Sequence, residues 1–130
     1  MMRSPMPKRP TDGELAILRV LWDHGPSTVR QVLHALNRNR ATGYTTALKL
    51  MQIMADKGLL ERDESQRPQV YRARRSREQT ERQLVHDLLD RAFAGSARRM
   101  VMQALSIKKA SAEELAEIEK LLSKIEKGNP

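Results

Sequence analysis

The sequence predicts a mainly α-helical chain, with three helices and a small β-hairpin first and a purely helical C-terminal segment after them. Three observations carry this. Apolar residues recur at helical spacing in six separate stretches, most of them opened by a Ser or Thr able to cap a helix. Between residues 59 and 74 a short run that can be a strand, a polar turn cluster and a returning run with period-2 alternation over 69–74 give the pattern of two paired strands. Gly25-Pro26, Gly58 and Gly95 punctuate the stretches where helices must stop.

Residues 1–10, with three prolines, read as a disordered arm. It is either an idle tail or a basic arm that touches phosphates through Arg3, Lys8 and Arg9. Thr11-Asp12-Gly13-Glu14 is a capping box that opens the first helix. Leu15, Leu18 and Trp22 form its apolar stripe, widened by Ile17 and Leu21, and Trp22 is read as core. Ser27-Thr28 can cap a second helix. There Val29, Val32, Leu33 and Leu36 face inward, and Arg30, Gln31, His34 and Arg38 take the other side. Residues 38–41 are a short polar connection.

The third helix spans about residues 43–57, with Thr42 as candidate cap and Gly58 as its stop. Ala47, Leu50, Met51, Met54 and Ala55 can face inward. Thr45, Lys49, Gln52 and Asp56 line the opposite side, flanked by Thr46. Short hydroxyl side chains at the N-terminal end let a helix enter a major groove closely. Threonine methyls can meet thymine methyls, and lysine can reach guanine acceptors. Residues 59–63 and 69–74 are the two strands, joined by the turn cluster 64–68. A hairpin alone is marginal, so it must lean on the helices. Helix, helix, helix, hairpin is the order of a winged helix-turn-helix, here spanning residues 11–75. Its wing carries Arg62, Arg67, Arg72, Arg74 and Arg75, placed to meet phosphates.

Ser76-Arg77-Glu78-Gln79 is a second capping box, followed by a stripe of Leu84, Val85, Leu88, Leu89, Ala92 and Phe93. Ser96 can cap a short helix with Met100, Val101, Ala104 and Leu105 inward. Ser111-Ala112-Glu113-Glu114 caps a last helix lined by Leu115, Ile118, Leu122 and Ile125. Three helices in residues 76–127 are too few to bury these stripes. A homodimer sharing Leu84, Leu88, Leu89, Phe93, Val101, Leu105, Leu115, Ile118 and Leu122 is preferred over packing against the first domain.

Composition narrows the partner. The 130 residues hold 24 Lys and Arg against 16 Asp and Glu, a net charge of +8. Residues 1–75 carry nearly all the excess, with 14 basic against 7 acidic side chains. A polyanion is the natural partner of that half. The four aromatics, Trp22, Tyr44, Tyr71 and Phe93, make a poor base-stacking platform, which favours duplex DNA over single strands. Cysteine is absent, which excludes disulfides, thiolate metal sites and cysteine nucleophiles. The histidines His24, His34 and His86 lie in separate helices and suggest no metal site or triad. No charge-free run exceeds eight residues and there is no signal-peptide pattern, so no membrane insertion is expected and the chain should be cytoplasmic. No enzymatic motif and no cofactor site is read.

The run Thr-Asp-Gly-Glu-Leu-Ala-Ile-Leu-Arg-Val-Leu-Trp at 11–22, the run Gly-Tyr-Thr-Thr-Ala-Leu-Lys-Leu-Met at 43–51 continuing to Lys-Gly-Leu at 57–59, and Val-Tyr-Arg-Ala at 70–73 resemble the BlaI/MecI/CopY repressors, also called penicillinase repressors. The likeness covers about residues 11–125. It implies a homodimeric transcriptional repressor on a pseudo-palindromic operator, with β-lactam-resistance or related stress genes as possible targets. It implies groove reading by Thr45, Thr46 and Lys49 and phosphate contacts by the wing. Thr42, Tyr44 and Gln52 complete the candidate DNA-binding set. In the β-lactam branch a membrane-bound sensor metalloprotease signals cleavage in the dimerisation domain. Aligned by Gly95, that bond falls near Gln103-Ala104, where this chain departs from the branch's Asn-Phe pair. The copper-sensing branch uses a C-terminal cysteine motif, which this chain lacks. A winged helix serving as a protein-interaction module and a double-stranded RNA binder are the alternatives.

Overall fold

The computed structural model describes residues 9–37 and 42–128. Arg3 and Lys8 of the basic arm and the 38–41 connection lie outside the described residues. The described residues form six helices and one antiparallel hairpin. They fall into two compact units, one up to Leu84 and one from Val85.

Helix α1 (Asp12–His24) begins with the expected capping box: the Thr11 hydroxyl accepts the Glu14 amide at 3.2 Å, and Glu14 Oε1 accepts the Thr11 amide at 2.9 Å. Its buried stripe is Glu14, Ile17, Leu18 and Leu21. Leu15 and Trp22 are half-buried flanks of that stripe rather than its centre. The stripe is turned because the Glu14 carboxylate lies inside, one turn before Leu18. Helix α2 (Val29–Leu36) is capped by Thr28, whose hydroxyl accepts the Gln31 amide at 3.2 Å while Gln31 Oε1 accepts the Thr28 amide at 2.9 Å. Ser27, the other cap candidate, bridges to the hairpin: its amide donates to the Tyr71 carbonyl at 2.9 Å and its carbonyl accepts the Tyr71 amide at 2.8 Å.

Helix α3 (Tyr44–Asp56) is capped by Gly43, not by Thr42. Asn37 explains the correction. Its side-chain oxygen accepts the Thr42 amide at 2.7 Å, and its side-chain nitrogen donates to the Thr42 carbonyl at 3.3 Å. This clamp holds Thr42 in the incoming loop and leaves the first turn of α3 without a side-chain cap. Ala47, Met51 and Met54 are fully buried. Lys57 closes the helix, and Gly58, at φ +85°, supplies the left-handed turn into the wing.

Strands β1 (Leu60–Asp63) and β2 (Val70–Ala73) pair with Leu60 opposite Ala73 and Asp63 opposite Val70. Against the expected 59–63 and 69–74, β1 begins one residue later, and β2 is one residue shorter at each end. Leu59, Leu60 and Tyr71 are buried against Ile17, Leu18 and Leu21 of α1, Val29 and Val32 of α2, and the apolar side of α3. That packing is what lets so short a hairpin persist.

Helix α4 (Arg77–Ala92) starts from the Ser76–Gln79 box, with bonds of 3.1 and 2.9 Å. Its first turns belong with the N-terminal unit, where Thr80 is buried. In the second unit, Ser96 caps α5 (Ala97–Ile107), and Ser111 with Glu114 caps α6 (Ala112–Glu126). Neither helix has a buried residue in the single chain.

Candidate nucleic-acid interface

The outward side of α3 follows from its inward side. With Ala47, Met51 and Met54 fixed in the core, helical geometry turns Thr45, Thr46, Lys49, Gln52 and Asp56 outward, and all five are exposed. Ile53 joins them at 41% exposure. Sequence reading passed over it. Its only signal was an apolar residue out of phase with the core stripe. On this face it adds a methyl-rich surface of the kind that meets a thymine methyl. Tyr44 opens the helix, is exposed, and lies under the guanidinium of Arg30 from α2, 5.0 Å from its ring centroid. Thr42 stands behind this face, half-buried in the loop that Asn37 holds.

The wing arginines divide by their partners. Arg72 lies across the hairpin from Glu61 and pairs with it at 2.7 Å. Arg62 reaches back to Asp56 at 3.6 Å, tying the wing to the last turn of α3. Arg67 is exposed at the turn, and Arg74 lays its guanidinium against Gly58. Arg75, counted with the wing, donates to Gln83 of α4 at 3.5 Å. The turn itself is set by Asp63. Its carboxylate accepts the Ser65 amide and hydroxyl and the Gln66 side-chain amide, and these bonds hold its carboxyl below the usual value.

Two devices, one buried and one at the surface, position this face. Lys57 donates to Glu14 Oε2 at 2.8 Å and Oε1 at 3.0 Å, joining the end of α3 to the start of α1. Burial pushes the Glu14 carboxyl up, but the bonds from Lys57 and Thr11 outweigh it and hold the group below its ordinary value. Glu14 was legible only as a capping residue, although it stands in phase with Leu18 and Leu21. Trp22 Nε1 donates to the Arg75 carbonyl at 3.0 Å, while Arg77 lies over the indole and pairs with Asp23. The end of the wing and the start of α4 are thereby fastened to α1.

Of the candidate dimerisation residues, Leu84 falls in the first unit, and Leu88, Leu89, Phe93, Val101, Leu105, Leu115, Ile118 and Leu122 in the second. Leu88, Val101, Leu105, Leu115 and Leu122 are exposed, with Leu122 at 52%, and Leu89, Phe93 and Ile118 are half-buried. Gln103 and Ala104 lie exposed within α5. His24 and His34 line one groove of about 410 Å³ between α1 and α2. Among the described residues no three of His, Asp or Glu converge as a metal cluster, and no helix is long and apolar enough to cross a membrane.

A family model described as penicillinase repressor matches residues 10–124. The transcriptional regulator BlaI of two Mycobacterium tuberculosis strains is 29% identical over 119 residues, covering 91% of this chain and 86% of the relative. The structure of a MarR family protein from Bacillus stearothermophilus superposes with a TM-score of 0.50 at 20% identity, covering 92% of this chain and 74% of that one. This last likeness is one of fold, the winged helix, which the residue reading had placed over the same elements.

Proposed function

The chain belongs to the penicillinase repressor family of transcriptional regulators, and from that premise we propose that it represses as a homodimer, reading a pseudo-palindromic DNA operator through α3. The observation that carries this is the outward side of α3, where Thr45, Thr46, Lys49 and Gln52 stand exposed on a helix whose other side is locked in the core. Residues 11–75 form the reading head in this proposal, and residues 76–127 the dimerisation domain. Thr45, Thr46, Lys49 and Gln52 enter the major groove, and Arg67, Arg72 and Arg74 take phosphates on either side. The exposed leucines and valine of α4, α5 and α6 are the surface a second copy covers. Regulated genes of β-lactam resistance or a related stress response fit the family, as does action in the cytoplasm. Induction through a membrane sensor metalloprotease would require the α5 backbone at Gln103-Ala104 to unwind for cleavage.

The test is a salt titration of duplex binding. Three to five phosphate contacts per protomer predict that log affinity falls with log salt at a slope of roughly −5 to −9 for the dimer. A slope near zero on every duplex refutes DNA binding. An RNA duplex competing as well as DNA refutes groove reading by α3, because the A-form major groove is too narrow to admit it.

A further inference from the structure

We propose that Glu61 competes with DNA for Arg72, so that a carboxylate on the wing limits how tightly the protein holds any duplex. The inference rests on the DNA-binding reading above and gives one wing residue a role of opposite sign to that of the arginines around it.

The arginines of the wing stand out in the sequence, yet its acids balance them. From Leu60 to Ala73 the chain holds Arg62, Arg67 and Arg72 against Glu61, Asp63 and Glu64, three of each sign, so the hairpin carries no net charge. The positive excess of residues 1–75 therefore lies outside it. The three acids stand in different places. Asp63 is spent on the turn, where it accepts from Ser65 and Gln66. Glu64 stands exposed on that turn and pairs with no arginine among the described residues. Glu61 holds a wing arginine across the hairpin. The strand register sets it opposite Arg72, and its Oε1 accepts both Arg72 Nε, at 2.8 Å, and Arg72 Nη2, at 2.7 Å. Two donors on one oxygen occupy the edge of the guanidinium that a phosphate would take.

The backbone keeps the two side chains together. Leu60 and Tyr71, each one residue away, are buried and fix both strands beneath the pair. The pair itself is at the surface, with the Arg72 side chain 66% exposed, whereas Arg62 is drawn back to Asp56 at the end of α3. An exposed pair is weak enough for a phosphate to displace. The displaced carboxylate then stays beside the phosphate as a like charge. Both effects lower affinity, and neither depends on base sequence. Phosphate contacts hold every sequence and read none, so a wing weakened in this way leaves the choice of site to α3.

The experiment titrates full-length protein with a random-sequence DNA duplex over a salt series. Glu61→Gln should tighten binding by about 3- to 10-fold at low salt and make the salt slope steeper by up to about 1 per bound protomer, because Arg72 then meets phosphate without a competitor. Glu61→Thr, which suits a strand, should do the same. Tighter binding cannot come from a damaged fold, and melting followed by Trp22 fluorescence checks that both variants are folded at the assay temperature. Glu64→Gln makes the same change of charge on the same hairpin and should tighten binding much less. With Arg72→Gln already in place, Glu61→Gln should gain little, the mark of two residues that act on each other. Unchanged or weaker binding by either folded Glu61 variant, in a protein whose wild type binds DNA, overturns the proposal and leaves the DNA reading standing. An equal gain from Glu64→Gln, or an undiminished gain beside Arg72→Gln, overturns it too, by making net charge rather than competition the cause. Wild-type protein that binds no duplex at any salt overturns both readings.

Discussion

Lys57→Met is the sharpest test of how α3 is held. The substitution keeps most of the side-chain volume at the end of α3 and removes the ammonium that meets both oxygens of Glu14, at 2.8 and 3.0 Å. The Glu14 side chain is 2% exposed, so water cannot replace the lost donor, whereas Lys57 at 27% remains partly screened in the wild type. Hydrogen bonds to a charged group contribute about 1.5–3 kcal/mol each, and stranding a buried charge costs about 3–5 kcal/mol. Screening at Lys57 reduces this to about 2–3 kcal/mol at pH 7. The loss carries a pH signature. In the wild type the Glu14 carboxyl sits below its ordinary 4.5, so its contribution is present above that value and fades as pH falls through the folded value. In the variant burial still raises the carboxyl while both lowering effects of Lys57 are gone, so it titrates above the wild-type group and the variant loses less stability as pH falls. The gap between the two proteins should therefore be full at pH 7 and close as both carboxyls protonate. Urea unfolding, followed by the fluorescence of the chain's one tryptophan, Trp22, reports on the unit that contains the pair. A gap below about 0.5 kcal/mol at pH 7, or one of equal size in acid, refutes the claim that Lys57 keeps Glu14 ionised inside the fold.

Two further outcomes separate the surfaces. Thr46→Ala or Lys49→Ala should weaken the cognate site by about 1–3 kcal/mol and relax base preference, while Arg67→Ala weakens all sequences alike; competition binding with single-base variants of the operator checks both, and uniform loss in all three would mean α3 does not read bases. Leu88→Asp should leave the winged-helix unit folded but abolish dimer formation and reduce operator affinity by well over 10-fold, checked by sedimentation equilibrium and operator titration, and a wild type that sediments as a monomer at micromolar concentration would overturn the dimer.

Much of the N-terminal unit was legible because its local signals agree with its packing. The capping box at Thr11 formed as the sequence spells it, Thr28 of the Ser27-Thr28 pair caps α2, and the polar stripe on α3 is exposed throughout. The misses come from tertiary partners that a one-dimensional pattern cannot name. Thr42 has the right side chain for a cap, but Asn37 claims its backbone from five residues upstream. Ser27 is drawn away by Tyr71, a residue 44 positions distant in sequence. Glu14 carries two roles at once, cap and buried ion-pair partner, and only the first is local. The pairing of Arg62 with Asp56 and of Arg72 with Glu61 was likewise invisible, because it depends on strand register and on where the hairpin leans.

Both units expose helix faces, and the chemistry of those faces assigns them different partners. On α3 the exposed side is hydroxyl, amide, ammonium and one carboxylate, with Tyr44 at its start and Ile53 among them, a surface that loses little by standing in water before it meets a groove. On α4, α5 and α6 the exposed residues include Val85, Leu88, Val101, Met102, Leu115, Leu121, Leu122 and Ile125, each more than 40% accessible in the single chain. About half of each such side chain is still accessible, so covering the rest gains about 1 kcal/mol apiece. A set of this size favours association strongly, even after the entropy of joining two chains is subtracted. The acidic and basic residues interleaved along α6 solubilise its polar side without covering the apolar one. The short α3 face, by contrast, can read only a few base pairs. A few base pairs give too little discrimination against a genome of competing sites. In the proposed dimer, joining two heads through the C-terminal helices doubles the sequence read and turns the second contact into an intramolecular one. The apolar faces therefore do more than seek cover. In the proposed dimer they are what makes the polar face of α3 selective, so the part of the chain without a core of its own would set the specificity of the part that has one.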